Sequence, residues 1–359
     1  MGEEDALREL CAQLDPATDP ALPLPNLRSH WQGISGQGWP AVILHNLRDA
    51  SLIGKLRPTK GITIVTSRES IYQSGITPIE VGVMEPQGAA ELARSTHPGL
   101  TPEDAATLAE AVGRLPLAIT LATGYLARTR EGVGVLARRV AEAAGGKPTL
   151  QGLFEQVVDF STADLTEIQQ AHWLALSLSP GDFGLWTVRA LWDDDDPLSQ
   201  LGDLVNRHLI LPTDGGRWHL HDLLRQYGRG MLAAAPEQEQ TLWRRLGPVA
   251  VLCLQEINAR FRSGGDAMAP ALEELDQELP LLRAVQTWAA ARSENDDLAA
   301  QVASNLPHPS VIPFRVVIAE EMAWLKAALH AAEHRGKKLE NANAAGNLGL
   351  AHKELGDLD

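Results

Sequence analysis

The hydrophobic positions change rhythm several times along the chain. Leu7, Leu10, Cys11 and Leu14 recur at helical spacing, and a proline-rich passage over 15–25 ends that helix. A second helix is predicted over 27–34. Residues 41–44, Ala-Val-Ile-Leu, are short, wholly apolar and partly β-branched, as a buried parallel strand should be, and 61–66 repeat the pattern. The stretch between them, 49–56, has room for one helical crossover, so the unit reads strand, helix, strand. A third strand is expected to begin at Val81.

From Pro86 the period becomes helical. The best segments are 88–94, 102–112 and 116–128, with Pro102 and Pro116 at first-turn positions where a missing N–H costs nothing. Gly-Gly-Lys-Pro at 145–148 reads as a linker. Further helices are predicted around 150–159, 165–178, 186–191 and 198–208. Then 209–211 and 217–220 flank Asp214-Gly215-Gly216, a hairpin signal, and another helix opens near His221. Helices, a hairpin and a closing helix make a winged-helix arrangement. From 236 the pattern is helical, and the small and leucine residues of 343–357 match the first helix of a tetratricopeptide repeat. One helix of such a repeat cannot bury its face alone, so the natural protein is expected to continue.

The fold class expected is therefore mixed α/β followed by mainly α, in five regions. Residues 1–84 form a partial nucleotide-binding α/β domain, 85–147 a helical lid and 148–234 a winged helix. Residues 235–340 form a helical region, and 341–359 begin the repeat.

Charge narrows the partners. The chain of 359 residues carries 46 acidic against 31 basic side chains, a formal charge of −15, which disfavours nucleic acid and anionic membrane surfaces. Cys11 and Cys253, the only cysteines, supply neither a disulfide framework nor paired thiolates for zinc. No apolar stretch approaches membrane-spanning length, and the acidic start lacks a signal core, so a cytoplasmic location is expected.

Four motifs occur in order: Val42-Ile-Leu-His45-Asn46, Ile64-Val-Thr-Ser-Arg68, Gly113-Arg-Leu115-Pro116-Leu-Ala, and Leu220-His221-Asp222. Together they resemble the NB-ARC branch of the STAND signalling ATPases, over roughly residues 37–232, in a truncated form without the Walker A loop. The resemblance implies a partial P-loop NTPase core, a lid, a winged helix and a repeat-like tail. It further implies a regulatory switch that binds ADP or ATP and signals through protein partners at its helical repeats, with self-association as a further mode. In the family, the first motif ends on a carboxylate that orients magnesium; here His45 stands there, followed by Asn46. An imidazole cannot replace a carboxylate beside a hard cation, so hydrolysis and a bound metal are not expected. By the same resemblance Arg68 is the sensor arginine, Pro116 lies against adenine with Gly113 and Leu115 shaping the turn, and His221 senses a diphosphate. Asp222 is expected to cap the helix it opens.

No G-x-x-x-x-G-K-[ST] loop is present. Gly145-Gly146-Lys147 runs into Pro148, and Gly54-Lys55 into Leu56, and neither follows a strand. Without that amide cradle, nucleotide binding is expected to be weak. The competing reading is a winged-helix transcription regulator that binds DNA, but its recognition segment, 198–208, carries Arg207 as its only Arg or Lys, beside Asp203 and behind four aspartates. His219 with His221 lacks a third metal ligand. No catalytic constellation of another kind stands out.

Overall fold

The computed structural model describes residues 3–15, 18, 22–45, 47, 49–67, 75–143, 149–194, 196–292, 295–305, 310–312, 315–316, 318–334, 336 and 338–354. They divide into two compact units, Met1–Val81 and Gly82–Asp359.

In the first unit, helices α1 (Glu3–Leu14) and α2 (Leu24–Gly36) precede strand β1 (Ala41–Leu44). Helix α3 (Ser51–Leu56) crosses over to strand β2 (Ile62–Val65). The strands pair in parallel with Ala41 opposite Ile62 and Leu44 opposite Val65. Because side chains alternate along a strand, Val42 and Leu44 turn into a core with Leu7, Cys11, Leu27, Trp31, Ile53 and Leu56. The other face of the sheet is bare among the described residues: Ile43, Ile62 and Ile64 are 65%, 60% and 50% exposed. The third strand expected at Val81 is not formed. A strand exists only as half of a ladder; β2 pairs with β1, and Val81, with no strand beside it among the described residues, is 92% exposed.

The second unit opens with four helices: α4 (Pro86–Thr96), α5 (Pro102–Ala111), α6 (Pro116–Thr129) and α7 (Val133–Ala143). Pro102 and Pro116 occupy the first turns of α5 and α6, and Thr101 caps α5 by accepting the Asp104 N–H. The segments read from the sequence do not include α7.

Next come α8 (Leu150–Thr162), α9 (Glu167–Leu176), α10 (Leu185–Trp192) and α11 (Leu198–Asn206). Strands β3 (Leu211–Thr213) and β4 (Arg217–His219) form a hairpin in which Leu211 faces His219, and α12 (Asp222–Ala233) follows. Phe183 adds a bridge to Trp218, with N–H···O bonds of 3.0 Å in both directions. The predicted helix 198–208 stops at Asn206 because His208 takes a left-handed backbone, φ +57°.

The tail consists of α13 (Pro236–Arg262), α14 (Met268–Ala290), α15 (Asp296–Ala303), α16 (Ile318–His334) and α17 (Lys338–Glu354). Each of these segments packs on its sequence neighbour, as short connections dictate. One apolar cluster runs from Ala89 in the first four helices through Trp173, Phe183 and Leu224 to Leu246, Leu282 and Leu325 in the tail.

Candidate functional site

The turn between α5 and α6 prepares one wall of a cavity. Gly113 and Arg114 are successive left-handed residues, φ +71° and +54°, and reverse the chain within two positions. Gly113 has a second reason to be glycine, since a Cβ there would lie 3.0 Å from Leu150 and 3.1 Å from Leu153. Leu115 occupies the N-cap position and contributes no side-chain cap, while the Arg114 carbonyl accepts the Met84 N–H at 3.1 Å. Pro116 is thereby delivered to the start of α6.

The opposite wall comes from the hairpin and α12. His221 is the N-cap of α12: its Nδ1 accepts the Leu223 backbone N–H at 3.2 Å. This corrects the expectation that Asp222 caps the helix; Asp222 is already helical, exposed, and paired with Arg225. A nitrogen that accepts from a backbone amide carries no proton, so the neutral ring holds its proton on Nε2 and can donate from there. Burial depresses the protonation of His221 below its ordinary range, with Asp222 opposing.

Pro116 and His221 line a single cavity of about 250 Å³. Leu92, Leu117, Leu209, Ile210, Leu211 and Leu224 supply apolar walls, and Thr120 and His208 the remaining polar groups. Gly113 and Leu115 shape the turn without lining the cavity.

Three of its features were not singled out in the sequence. Thr120 lies one turn beyond Pro116 and donates to the Pro116 carbonyl at 3.0 Å. One further turn on, Gly124 makes the seat for His208: a Cβ on Gly124 would lie 2.7 Å from His208 Cδ2. His208 is also held neutral, first by burial and then by the charge of Arg128. The available signal was Gly124 itself, a residue that costs about 1 kcal/mol in a helix interior and so points to a close approach.

The donor set defines what the cavity can hold. Its volume is near the lower end of small-molecule pockets, and apolar walls with a few polar groups suit a planar heterocycle. Two neutral imidazoles can donate to a ring edge or a first phosphate, and the Thr120 hydroxyl, whose proton goes to the Pro116 carbonyl, can accept from a ring edge. Among the described residues that line it there is no carboxylate, the ligand type a hard divalent cation prefers. No cluster of three or more metal-ligating side chains occurs among the described residues.

In the first unit, His45 directly follows β1 and shares a 3.0 Å hydrogen bond between Nδ1 and Thr66 Oγ1, beside the end of β2. This is the carboxyl edge of the strands, where open α/β sheets bind ligands. Asn46 and Arg68 lie outside the described residues. As for DNA, Arg207 is engaged by Asp164, and the hairpin's Arg217 by Glu278 of α14. His219 is taken up by Asp182 at 2.7 Å. No helix among the described residues is long and apolar enough to cross a membrane.

No family model matches the chain. Over 222 residues, 57% of this chain and 22% of the relative, it is 33% identical to the regulatory protein AfsR of Streptomyces griseus. Over 206 residues it is 30% identical to the regulatory protein AfsR of Streptomyces coelicolor, across 52% of this chain and 20% of that one. The chain thus spans about a fifth of the length of these curated relatives. Its fold is similar to that of a signal transduction ATPase with numerous domains (STAND), a protein with a tetratricopeptide repeat sensor from Pyrococcus horikoshii. The TM-score is 0.54 at 16% identity, covering 99% of this chain and 58% of the other. The likeness is one of fold, and it extends over the helical tail.

Proposed function

We propose that this chain is the lid, winged-helix and tail portion of a STAND-type regulatory switch, and that its cavity takes the base and first phosphate of an adenine nucleotide, ADP in the closed state. The observation that carries this reading is the meeting of Pro116 and His221, far apart in sequence, on one cavity. The similarity to regulatory proteins and to a STAND fold supports the same class. Pro116 and the leucines would contact the flat base. His221, donating from Nε2 at the positive end of α12, would meet phosphate oxygen. The chain binds and signals without hydrolysing: His45 in place of a carboxylate leaves magnesium without its ligand. The tail helices would receive a protein partner, and self-association through them is a further outcome.

Calorimetric titration of the intact chain with ADP tests the binding. The expected result is a micromolar dissociation constant that weakens at least tenfold in His221→Ala. Absence of heat in the unmodified chain overturns the nucleotide reading.

A further inference from the structure

Glu278 is a carboxylate placed almost wholly out of solvent. It lies on α14, is 2% exposed, and its Oε1 accepts from two groups of the winged helix: the Arg217 guanidinium on β4 and the Trp186 indole N–H at 3.2 Å. Arg217 is itself 11% exposed, and its other arm donates to the Asp182 carbonyl at 2.8 Å. The guanidinium passes 3.3 Å from where a Cβ on Gly184 would stand, so the missing side chain there makes its channel. A buried pair of this kind holds its partners together, because separating them leaves an uncompensated charge on each side.

Its position gives the pair a role beyond packing. Arg217 begins a three-residue strand, and only Leu220, fully buried, separates that strand from His221. The strand is stiffened by the two bonds between Trp218 and Phe183 and by His219 on Asp182. At the other end of α12, two residues connect Ala233 to Pro236 of α13, which packs along α14. The α13–α14 pair is therefore attached at both ends of α12, through the chain after Ala233 and through Glu278 before Asp222, and α13 also packs on α12 directly, with Arg229 lying over the Trp243 ring. Between the attachments lies the helix whose first turn lines the cavity.

We infer that Arg217 and Glu278 are positioning residues that couple the α13–α14 tail to His221, so that a load on the tail is read at the cavity. The ligand arm of this inference rests on the nucleotide reading above; the coupling does not. Its test uses the intact chain with Arg217→Met, Glu278→Gln and the two combined, since the double variant leaves no buried unpaired charge. Backbone amide exchange over 217–224 and the His221 imidazole resonances are followed beside thermal stability and ADP affinity. In each single variant, exchange over 217–224 is expected to accelerate at least tenfold while Leu254 and Val285, in the α13–α14 core, keep their protection. The double variant is expected to recover its melting temperature yet retain the fast exchange and a shifted His221 signal, with ADP bound at least fivefold more weakly. Exchange and His221 signals that return to those of the unmodified chain in the double variant overturn the coupling and leave the pair a stabilising contact. If the unmodified chain binds no ADP, the nucleotide reading fails alone, and exchange still decides the coupling.

Discussion

The two units bury their hydrophobic residues in opposite ways. In Gly82–Asp359 many helices are covered by a neighbour close in sequence, as α4 is by α5, α13 by α14 and α16 by α17, and one apolar cluster runs from the first four helices to the tail. In Met1–Val81 the central element is a two-stranded parallel sheet, and a parallel sheet needs cover on both faces. Here α1, α2 and α3 accompany a core on one face, while Ile43, Ile62 and Ile64 stand exposed on the other. A helix can be satisfied by the next helix along the chain; a parallel sheet depends on layers that arrive from elsewhere.

Trp31→Ala puts that contrast under the greatest strain. Trp31 is 1% exposed at the centre of the small core, and its indole N–H reaches the Arg57 carbonyl at 3.4 Å. Loss of such a side chain costs about 3–5 kcal/mol, a large share of the stability of a domain this small. Scanning calorimetry is expected to lose the transition of the first unit and keep that of the second. A single transition that falls as a whole would mean that the units fold together, and the contrast would break.

A smaller effect sharpens it. Ile43→Thr, on the bare face, is expected to change stability by no more than about 0.5 kcal/mol, as exposed substitutions do. The adjacent Leu44→Ala, from a side chain 6% exposed, is expected to cost about 2–5 kcal/mol. Denaturant titration measures both, and equal losses would show that the bare face is covered in solution.

Much of this architecture was readable from local rules. Short, wholly apolar runs located β1 and β2 and period-3.6 patterns most helices, while prolines marked the starts of α5 and α6. Asp214-Gly215-Gly216 marked the hairpin, where both glycines have φ +71°. The unreadable part depended on partners distant in sequence. Val81 resembles a strand by composition, but pairing decides strands. His221 caps α12 although Asp is the commoner cap, because its ring can reach the Leu223 amide. His208 enters the cavity only through the seat at Gly124, and nothing around Arg217 announces Glu278. Of the motif residues, Pro116 and His221 meet on the cavity; Gly113 and Leu115 act one step behind it.

The cavity histidines also fix a pH dependence. His208 and His221 have folded pKa values below their ordinary 6.5, so the unfolded chain binds protons more readily. Their contribution to stability is fully present above pH 6.5 and is lost as pH falls through the lowered values. A phosphate beside His221 reverses the bias, because an anion favours the charged ring.

The most direct measurement is therefore an NMR pH titration of the His221 imidazole in the intact chain, with and without ADP. The account predicts a midpoint below 6.5 in the free protein, moved upward by ADP, with Nδ1 the acceptor of the Leu223 N–H at pH values above the midpoint. A His221 midpoint and chemical shift indifferent to saturating ADP would contradict it, since the nucleotide would then bind elsewhere or not at all.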